Sequence, residues 1–287
     1  MLVAPALWSS AGVVTRHIER AEAFEQVFWR SLFAFCFVSM TLLITKKGIF
    51  RSLHSAGWPG VFSGVMWAIM FTAFVVALSL TTIANTLVTM SVSPLLTVLF
   101  ARMALSDPVP LRTWVAAALA ALGIVWMFSA SIEDSGHVAG MLVAFVVPVA
   151  AALNVVVLRA SAAKVDLIPA VMLGGALSCL IALPLALPFS ATPKDILLLA
   201  SLGIFQLGLP CMLLVVASRA LLAPELALLG LLEVVLGPLW AWLGAGETPA
   251  AATLAGGAIV LAALAGNELA AFRRIMQAKL SVTRISG

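Results

Sequence analysis

Two charged residues stand inside long apolar stretches of the sequence, where a charge needs a partner or a function. Glu233 lies about ten residues into the stretch from Pro224 to Ala245, and a helical rise of about 1.5 Å per residue places it near the middle of a membrane. There it must face a polar cavity, find a hydrogen-bond partner or keep its proton. Glu233 is therefore either a protonation switch or a protonated or capped side chain that fixes a contact between helices.

Arg30 is the second of these charges. It lies about seven residues inside the stretch from Phe24 to Thr45, shallow enough for its long stem to reach the water at the membrane edge. We favour this interpretation. The alternatives are a gate formed with Glu25, or a clamp for a carboxylate, because the planar fork of a guanidinium matches that group.

Hydroxyl and amide side chains also occur inside the apolar stretches. One stretch carries a stripe of hydroxyls at intervals of three and four residues, which places them on one helix face: Thr86, Thr89, Ser93 and Thr97. Asn85 lies beside its start, and Asn154 and Gln206 are amides in the middle of other stretches. Such groups either bond across a helix contact or line a wet cavity. We favour the cavity for the stripe and leave both readings open for the amides.

Tryptophan and proline mark further positions. Trp8 and Trp67 lie well inside apolar stretches, where an indole must bury its N–H or direct it at a cavity, so they are candidates for an aromatic wall. Pro94 and Pro148 interrupt apolar runs and are candidate hinges. The remaining tryptophans fall near the ends of stretches and predict interfacial belts: Trp29, Trp58, Trp114, Trp126, Trp240 and Trp242.

Composition predicts the elements that position these residues. Of 287 residues, 63% are hydrophobic and 10% are charged, which indicates an all-α integral membrane protein, since an apolar run of about 20 residues crosses the bilayer as a helix. The sequence predicts ten spans: Leu2 to Thr15, Phe24 to Thr45, Gly57 to Leu80, Ile83 to Leu105, Leu111 to Ala130, Val138 to Ala160, Leu167 to Leu187, Ile196 to Ala217, Pro224 to Ala245 and Ala250 to Ala271. The first is short, which predicts either that native residues precede Met1 or that this helix is tilted.

The sequence lacks the residues that several classes of function require. The cysteines and histidines have no metal-ligand spacing, no Walker loop occurs, and polar groups are not clustered at one interface as an integral membrane enzyme would need. We therefore expect no metal, no cofactor and no enzyme activity. Lys and Arg gather on one side of the predicted spans, in links such as Lys46 and Lys47 and in a basic tail, residues 272–287. That side is predicted to be cytoplasmic, with both termini there, and the net charge of +4 reflects this asymmetry rather than nucleic-acid binding.

The chain is also predicted to be a duplication. Val75 to Phe128 aligns with Val215 to Glu268, so that Asp107 falls on Glu247 and Ser93 on Glu233. Five spans in each half, residues 1–130 and 138–271, would place the second half upside down relative to the first. Two inverted five-helix repeats around a central cavity are typical of secondary transporters that alternate between inward-open and outward-open states.

Three strings resemble one transporter family. LEVVLGPLWAWLGAGE, from Leu232 to Glu247, is similar to the hallmark of EamA-type members of the drug/metabolite transporter superfamily, and SVSPLLTVLFARMALSD, from Ser91 to Asp107, resembles its counterpart in the first half. Trp8 and the serines Ser9 and Ser10 resemble a motif of the family's first span. The sequence departs from the hallmark in three places, where Val234 replaces a proline, Pro238 comes four residues late and Asp107 replaces Glu. The later proline predicts a displaced kink.

The resemblance implies export of small metabolites through a basket of ten helices, with spans 1, 3, 4, 6, 8 and 9 around the cavity. It implies a multi-pass protein of the inner membrane, and the YddG-type exporters of neutral and aromatic amino acids are the nearest interpretation. Its partners would be a small-molecule substrate, the lipid bilayer and protons that exchange with substrate at Glu233. Export of drugs or other metabolites, and flipping of lipid-linked headgroups within the same superfamily, stay open as alternatives.

Overall fold

A computed structural model describes residues 1–15, 17–45, 48–81, 83–105, 109–127, 138–245 and 251–285. The described residues form helices joined by short turns, with no strand among them. In chain order the α-helices are α1 Val3–Trp8, α2 Ala11–Thr15, α3 Ala23–Ile44, α4 Ile49–Leu80, α5 Ile83–Met90, α6 Ser93–Ala104, α7 Leu111–Met127, α8 Val138–Ser161, α9 Ile168–Ala186, α10 Pro193–Ser201, α11 Leu209–Ala217, α12 Ala223–Gly230, α13 Leu232–Ala245 and α14 Ala251–Ile285. A π-helical segment, Leu202–Gly208, joins α10 to α11.

The all-α membrane class is confirmed by helices of sufficient length and apolarity. Six are long and apolar enough to cross a bilayer within the described residues: Ala23–Ile44, Ile49–Leu80, Thr86–Ala104, Ala139–Ser161, Ile168–Ala186 and Pro193–Ala217. Shorter apolar helices cover Val3–Thr15, Leu111–Trp126 and Ala251–Asn267. Each of the ten predicted spans overlaps a helix or a consecutive pair of helices. That all ten cross the membrane stays a prediction.

Three predicted spans are interrupted. The first consists of α1 and α2, with Ser9 and Ser10 between them, and their hydroxyls donate to the carbonyl oxygens of Ala6 and Leu7 at 2.8 and 2.7 Å. The fourth breaks at Ser91 and the ninth at Leu231. Apolar composition sets the length of a span, but it carries no record of a local break in the helix.

Other boundaries also differ from the predictions. Gly57 has a φ of 54° and separates Ile49–Ala56 from the rest of α4, which explains why an apolar span predicted from Gly57 sits in a longer helix. The predicted tail is helical as far as Ile285, as the end of α14. Asp107 and Glu247, the acids predicted to end the repeats, lie outside the described residues.

The centre of the bundle is closely packed because small residues let the helices approach. α3 and α4 pack against α9, and α4 also packs against α8. A Cβ on Gly174 would collide with that of Trp67, and one on Gly203 would lie 2.6 Å from the carbonyl oxygen of Arg30. Close approach at small residues is how membrane helices gain dispersion energy without a hydrophobic driving force. The same approach holds Arg30 against the π segment.

Candidate functional site

Glu233 lies at the start of α13, directly after the break at Leu231, rather than inside a continuous helix. Its carboxylate therefore stands in the first turn, where free backbone N–H groups favour negative charge. α13 continues through Pro238, and the interruption of the ninth span comes seven residues earlier, at Leu231. A kink at Pro238 stays a prediction. Among the described residues Glu233 has neither a hydrogen-bond partner nor an ion pair.

The surroundings of Glu233 come from two other helices. It interacts electrostatically with Cys211, a buried thiol near the start of α11, and the Trp8 side chain hydrogen-bonds that same thiol. Ser9, beside Trp8, accepts a hydrogen bond of 2.9 Å from Nε1 of Trp240 in α13. The structure thus groups Trp8, Ser9 and Glu233, as candidate site residues, where α1 meets α11 and α13. Trp240 was predicted only for an interfacial belt, and its bond to Ser9 adds a second role.

Arg30 forms a second polar pair, with Gln206 of the π segment. Its Nη2 donates a hydrogen bond of 2.6 Å to Oε1 of Gln206, and its side chain is only 4% exposed. The snorkelling favoured from sequence is therefore wrong. Composition could not reveal the partner, because Gln206 is 176 residues away in the chain. The alternative of a gate with Glu25 is not found either, since Glu25 bonds other groups.

Asn154 and Trp67 belong to a third group, between α4 and α8. Oδ1 of Asn154 accepts a 2.6 Å hydrogen bond from Ser63, which lies one helical turn before Trp67 on α4. Nδ2 of Asn154 and Nε1 of Trp67 are buried without an acceptor. Sequence reasoning missed Ser63, although its spacing of four from Trp67 was a usable signal. Two unsatisfied donors on neighbouring helices are typical of a site that accepts a polar ligand or water.

The hydroxyl stripe is divided between two helices. Thr86 and Thr97 are buried, Thr89 and Ser93 are half-buried, and Thr97 donates to the carbonyl oxygen of Ser93 at 2.9 Å. Ser93 is the first residue of α6, and Glu233 is the second residue of α13, so both lie in a first helical turn. That the stripe lines a cavity stays a prediction. The side chain of Asn85 lies outside the described residues.

The two predicted hinge prolines have different surroundings. Pro94 is buried in the first turn of α6, directly after the break at Ser91, which is a position where proline costs the helix no hydrogen bond. Pro148 is buried inside α8, which runs through it as one helix. Only Pro94 therefore lies at an interruption of the backbone.

One end of the bundle carries a polar clasp, defined as Glu25 with Ser190 and Ala191, and Asp195 with Glu19 and Arg20. The carboxylate of Glu25 accepts from the backbone N and Oγ of Ser190 and from the N of Ala191, each at 2.9 Å. The carboxylate of Asp195 accepts from the backbone N of Glu19 at 2.8 Å and of Arg20 at 3.1 Å. The clasp thus joins the link before α3 to the link before α10. The sequence pattern did not predict these contacts.

Comparison with known proteins finds a similar family for the N-terminal part of the chain. Residues 1–129 match the model of the EamA-like transporter family. No curated protein matches the chain. A crystal structure of another protein is similar with a TM-score of 0.79 over 91% of this chain and 93% of that chain, at 20% sequence identity, which shows a shared fold. Residues 1–129 are therefore similar to the EamA-like transporter family.

Proposed function

We propose that the protein is a secondary transporter that exports small metabolites, in particular neutral and aromatic amino acids, by alternating access between two inverted repeats. The observation that carries this proposal is a pair of matched interruptions. α5, Ile83–Met90, and α12, Ala223–Gly230, correspond at the offset of 140 residues, and each ends at a break followed by a second helix. Discontinuous helices at corresponding positions of two halves are characteristic of the binding sites of such carriers.

The packing between helices supports the same duplication. At the offset of 140 residues, the contact of α4 with α8 corresponds to the contact of α11 with α1. The contact of α3 with the π segment likewise has its counterpart in the contact of α4 with α9. Gly64 meets Leu173 and Gly203 meets Phe33, close approaches that correspond under the same offset to within one residue. Five spans per half then invert the second repeat relative to the first.

Glu233 is the residue we assign to coupling. It lacks a partner in the described residues, it follows a break in its helix, and it lies beside Trp8 and Cys211. A carboxylate there can hold either a proton or the ammonium group of an amino acid, so that binding of one displaces the other. Trp8 and Trp240 supply an aromatic wall, which favours apolar side chains on the substrate. This agrees with an exporter of the YddG type.

Uptake into proteoliposomes tests the proposal. The purified protein is reconstituted and supplied with labelled Phe, Trp, Met or Thr, with and without a pH gradient, beside empty vesicles and vesicles carrying Glu233→Gln. We expect saturable uptake of at least one amino acid that the gradient increases in the wild type and leaves unchanged in Glu233→Gln. Uptake at the level of empty vesicles by folded protein would refute the amino-acid substrate and move the test to drugs and lipid-linked headgroups.

Orientation is part of the proposal. The excess of Lys and Arg supports an inner-membrane protein with both termini in the cytoplasm. The polar clasp would then face outward. Reporter fusions at each terminus test this, because a cytoplasmic fluorescent reporter and a periplasmic phosphatase are active on opposite sides of the membrane. An active phosphatase at either terminus would contradict the orientation.

A further inference from the structure

Arg30 is a buried positive charge without a counter-ion. Its side chain is 4% exposed, its hydrogen bond goes to the neutral amide of Gln206, and its Nε is buried with no partner. No carboxylate within the described residues forms an ion pair with it. A buried guanidinium that has lost its water and gained no anion is unfavourable, and binding of an anion would remove that cost.

The acids nearest to Arg30 form hydrogen bonds with other groups. Glu25, five residues before Arg30, accepts hydrogen bonds from Ser190 and Ala191. Asp195 accepts from the backbone of Glu19 and Arg20 and caps its own helix through Thr192. Both acids therefore have their hydrogen bonds satisfied in the clasp. The anion that complements Arg30 must come from outside the clasp.

The Arg30 side chain is enclosed between α3 and the π segment. The Arg30 backbone lies against Gly203, since a Cβ there would be 2.6 Å from the Arg30 carbonyl oxygen, and Gln206 follows three residues later. The guanidinium is therefore covered by neighbouring helices, whereas a snorkelling side chain would be exposed at the edge.

The backbone at Gln206 is itself unusual. Leu202–Gly208 is a π-helix, with Leu209 N bonded to the carbonyl oxygen of Ile204, five residues back. Such turns are rare and occur frequently at functional sites. Cys211, which interacts with Glu233, lies in α11, the α-helix that continues the π segment. Arg30 and Glu233 therefore both adjoin the continuous helical stretch from Pro193 to Ala217.

We propose that Arg30 and Gln206 form the subsite for the carboxylate of the transported molecule. The subsite rests on the transporter function proposed above and narrows its substrates to molecules that carry an anionic group. Nε and Nη2 of Arg30 offer a fork that fits two carboxylate oxygens, and Gln206 holds the fork in place until the ligand arrives. An α-amino acid would place its carboxylate here and its ammonium toward Glu233.

Competition against labelled Phe in the proteoliposomes tests the subsite. Unlabelled Phe and phenylalaninamide compete, and they differ only in the carboxylate. We expect wild type to prefer Phe by about tenfold to a hundredfold, the size of one or two charge-assisted hydrogen bonds, and Arg30→Gln to lose that preference. Arg159→Gln is the matched control, since Arg159 donates to Ser218 and Arg219 carbonyls away from the site and should keep the preference.

A second variant keeps the test valid if Arg30→Gln does not fold. Gln206→Glu supplies Arg30 with a permanent counter-ion, so the purified protein should unfold at a higher temperature while its apparent affinity for Phe falls about tenfold or more. An unchanged affinity for Phe in Gln206→Glu, or an unchanged preference in a folded Arg30→Gln, would overturn the subsite.

Failure of the proposed function has a separate signature. If the wild type transports no amino acid, thermal unfolding of purified protein is measured with phenylacetate and with phenylacetamide. Stabilisation by the carboxylate alone, absent in Arg30→Gln, would support the subsite while the amino-acid function fails. Equal effects of the two compounds on wild type would refute the subsite as well.

Discussion

Removal of the Asp195 carboxylate should loosen the polar clasp measurably. Asp195 is fully covered, and its oxygens accept hydrogen bonds from the backbone N of Glu19, Arg20 and Thr192 at 2.8, 3.1 and 3.1 Å. The clasp lies at the end of the bundle, so water can reach the freed N–H groups, and we take about 1 kcal/mol for each bond. Asp195→Ala should therefore lower the free energy of unfolding by about 3 kcal/mol.

Thermal unfolding of the purified protein in detergent measures this loss. At about 2–4 °C per kcal/mol, Asp195→Ala should lower the midpoint by about 6–12 °C. Lys194→Gln is the control. Lys194 pairs with Glu19 at 2.6 Å, but both side chains are more than half exposed, so solvent screens the pair and its loss should leave the midpoint nearly unchanged. A midpoint for Asp195→Ala that lies no lower than that of Lys194→Gln would refute the reasoning.

Two further predictions concern the packed centre and are checked by the same unfolding measurement. Gly174→Ala should lower the free energy of unfolding by about 1–3 kcal/mol, because its Cβ would collide with that of Trp67. Gly230→Ala is the control: no atom lies within 4 Å of its Cβ, so the midpoint should stay unchanged or rise. Equal midpoints for the two variants would contradict the packing. Ser63→Ala should lower the free energy of unfolding by about 1–3 kcal/mol, because it leaves the buried amide of Asn154 with no partner. Adding Asn154→Leu should recover part of this loss. If the losses of the two single variants simply add in the double variant, the two side chains act independently.

Sequence reasoning recovered the helical class and the positions of the helices, because apolar run length and breaker residues determine both. It also identified Glu233, Arg30, Gln206 and Asn154 as unusual, since a polar group in an apolar run is visible in one dimension. It could not find their partners, because the Arg30–Gln206 bond joins residues 176 positions apart. The depth of Arg30 favoured water at the membrane edge, whereas the structure shows a buried side chain bonded to Gln206.

Breaks in the fourth and ninth spans were missed for a different reason. Apolar residues continue through Leu231, so hydropathy predicts one helix across the interruption. The hydroxyl of Ser91 donates to the carbonyl oxygen of Val88 at 2.6 Å and thereby satisfies a group at the end of α5. That a serine will act in this way depends on the local backbone, which the sequence pattern does not specify. The resemblance located both strings without predicting the breaks.

The two ends of the bundle are held differently, and this bears on alternating access. At the clasp end, five hydrogen bonds to carboxylates join residues 19–25 to residues 190–195. At the other end, among the described residues, Arg219 pairs with Asp166 at 3.1 Å, Arg159 donates to the Ser218 carbonyl, and Thr113 donates to Oδ1 of Asn267 at 3.1 Å. The clasp end therefore has more hydrogen bonds to carboxylates between distant parts of the chain.

A transporter that alternates must release this clasp once in each cycle. At about 1 kcal/mol for each of its bonds, the clasp supplies about 5 kcal/mol, close to the roughly 5.5 kcal/mol that moves an equilibrium from 1:99 to 99:1. The clasp alone is thus large enough to keep the protein closed at that end. A ligand opens it only by the difference between its affinities for the two states. Arg30 and Glu233, which form no ion pair among the described residues, are the groups that we assign to provide that difference.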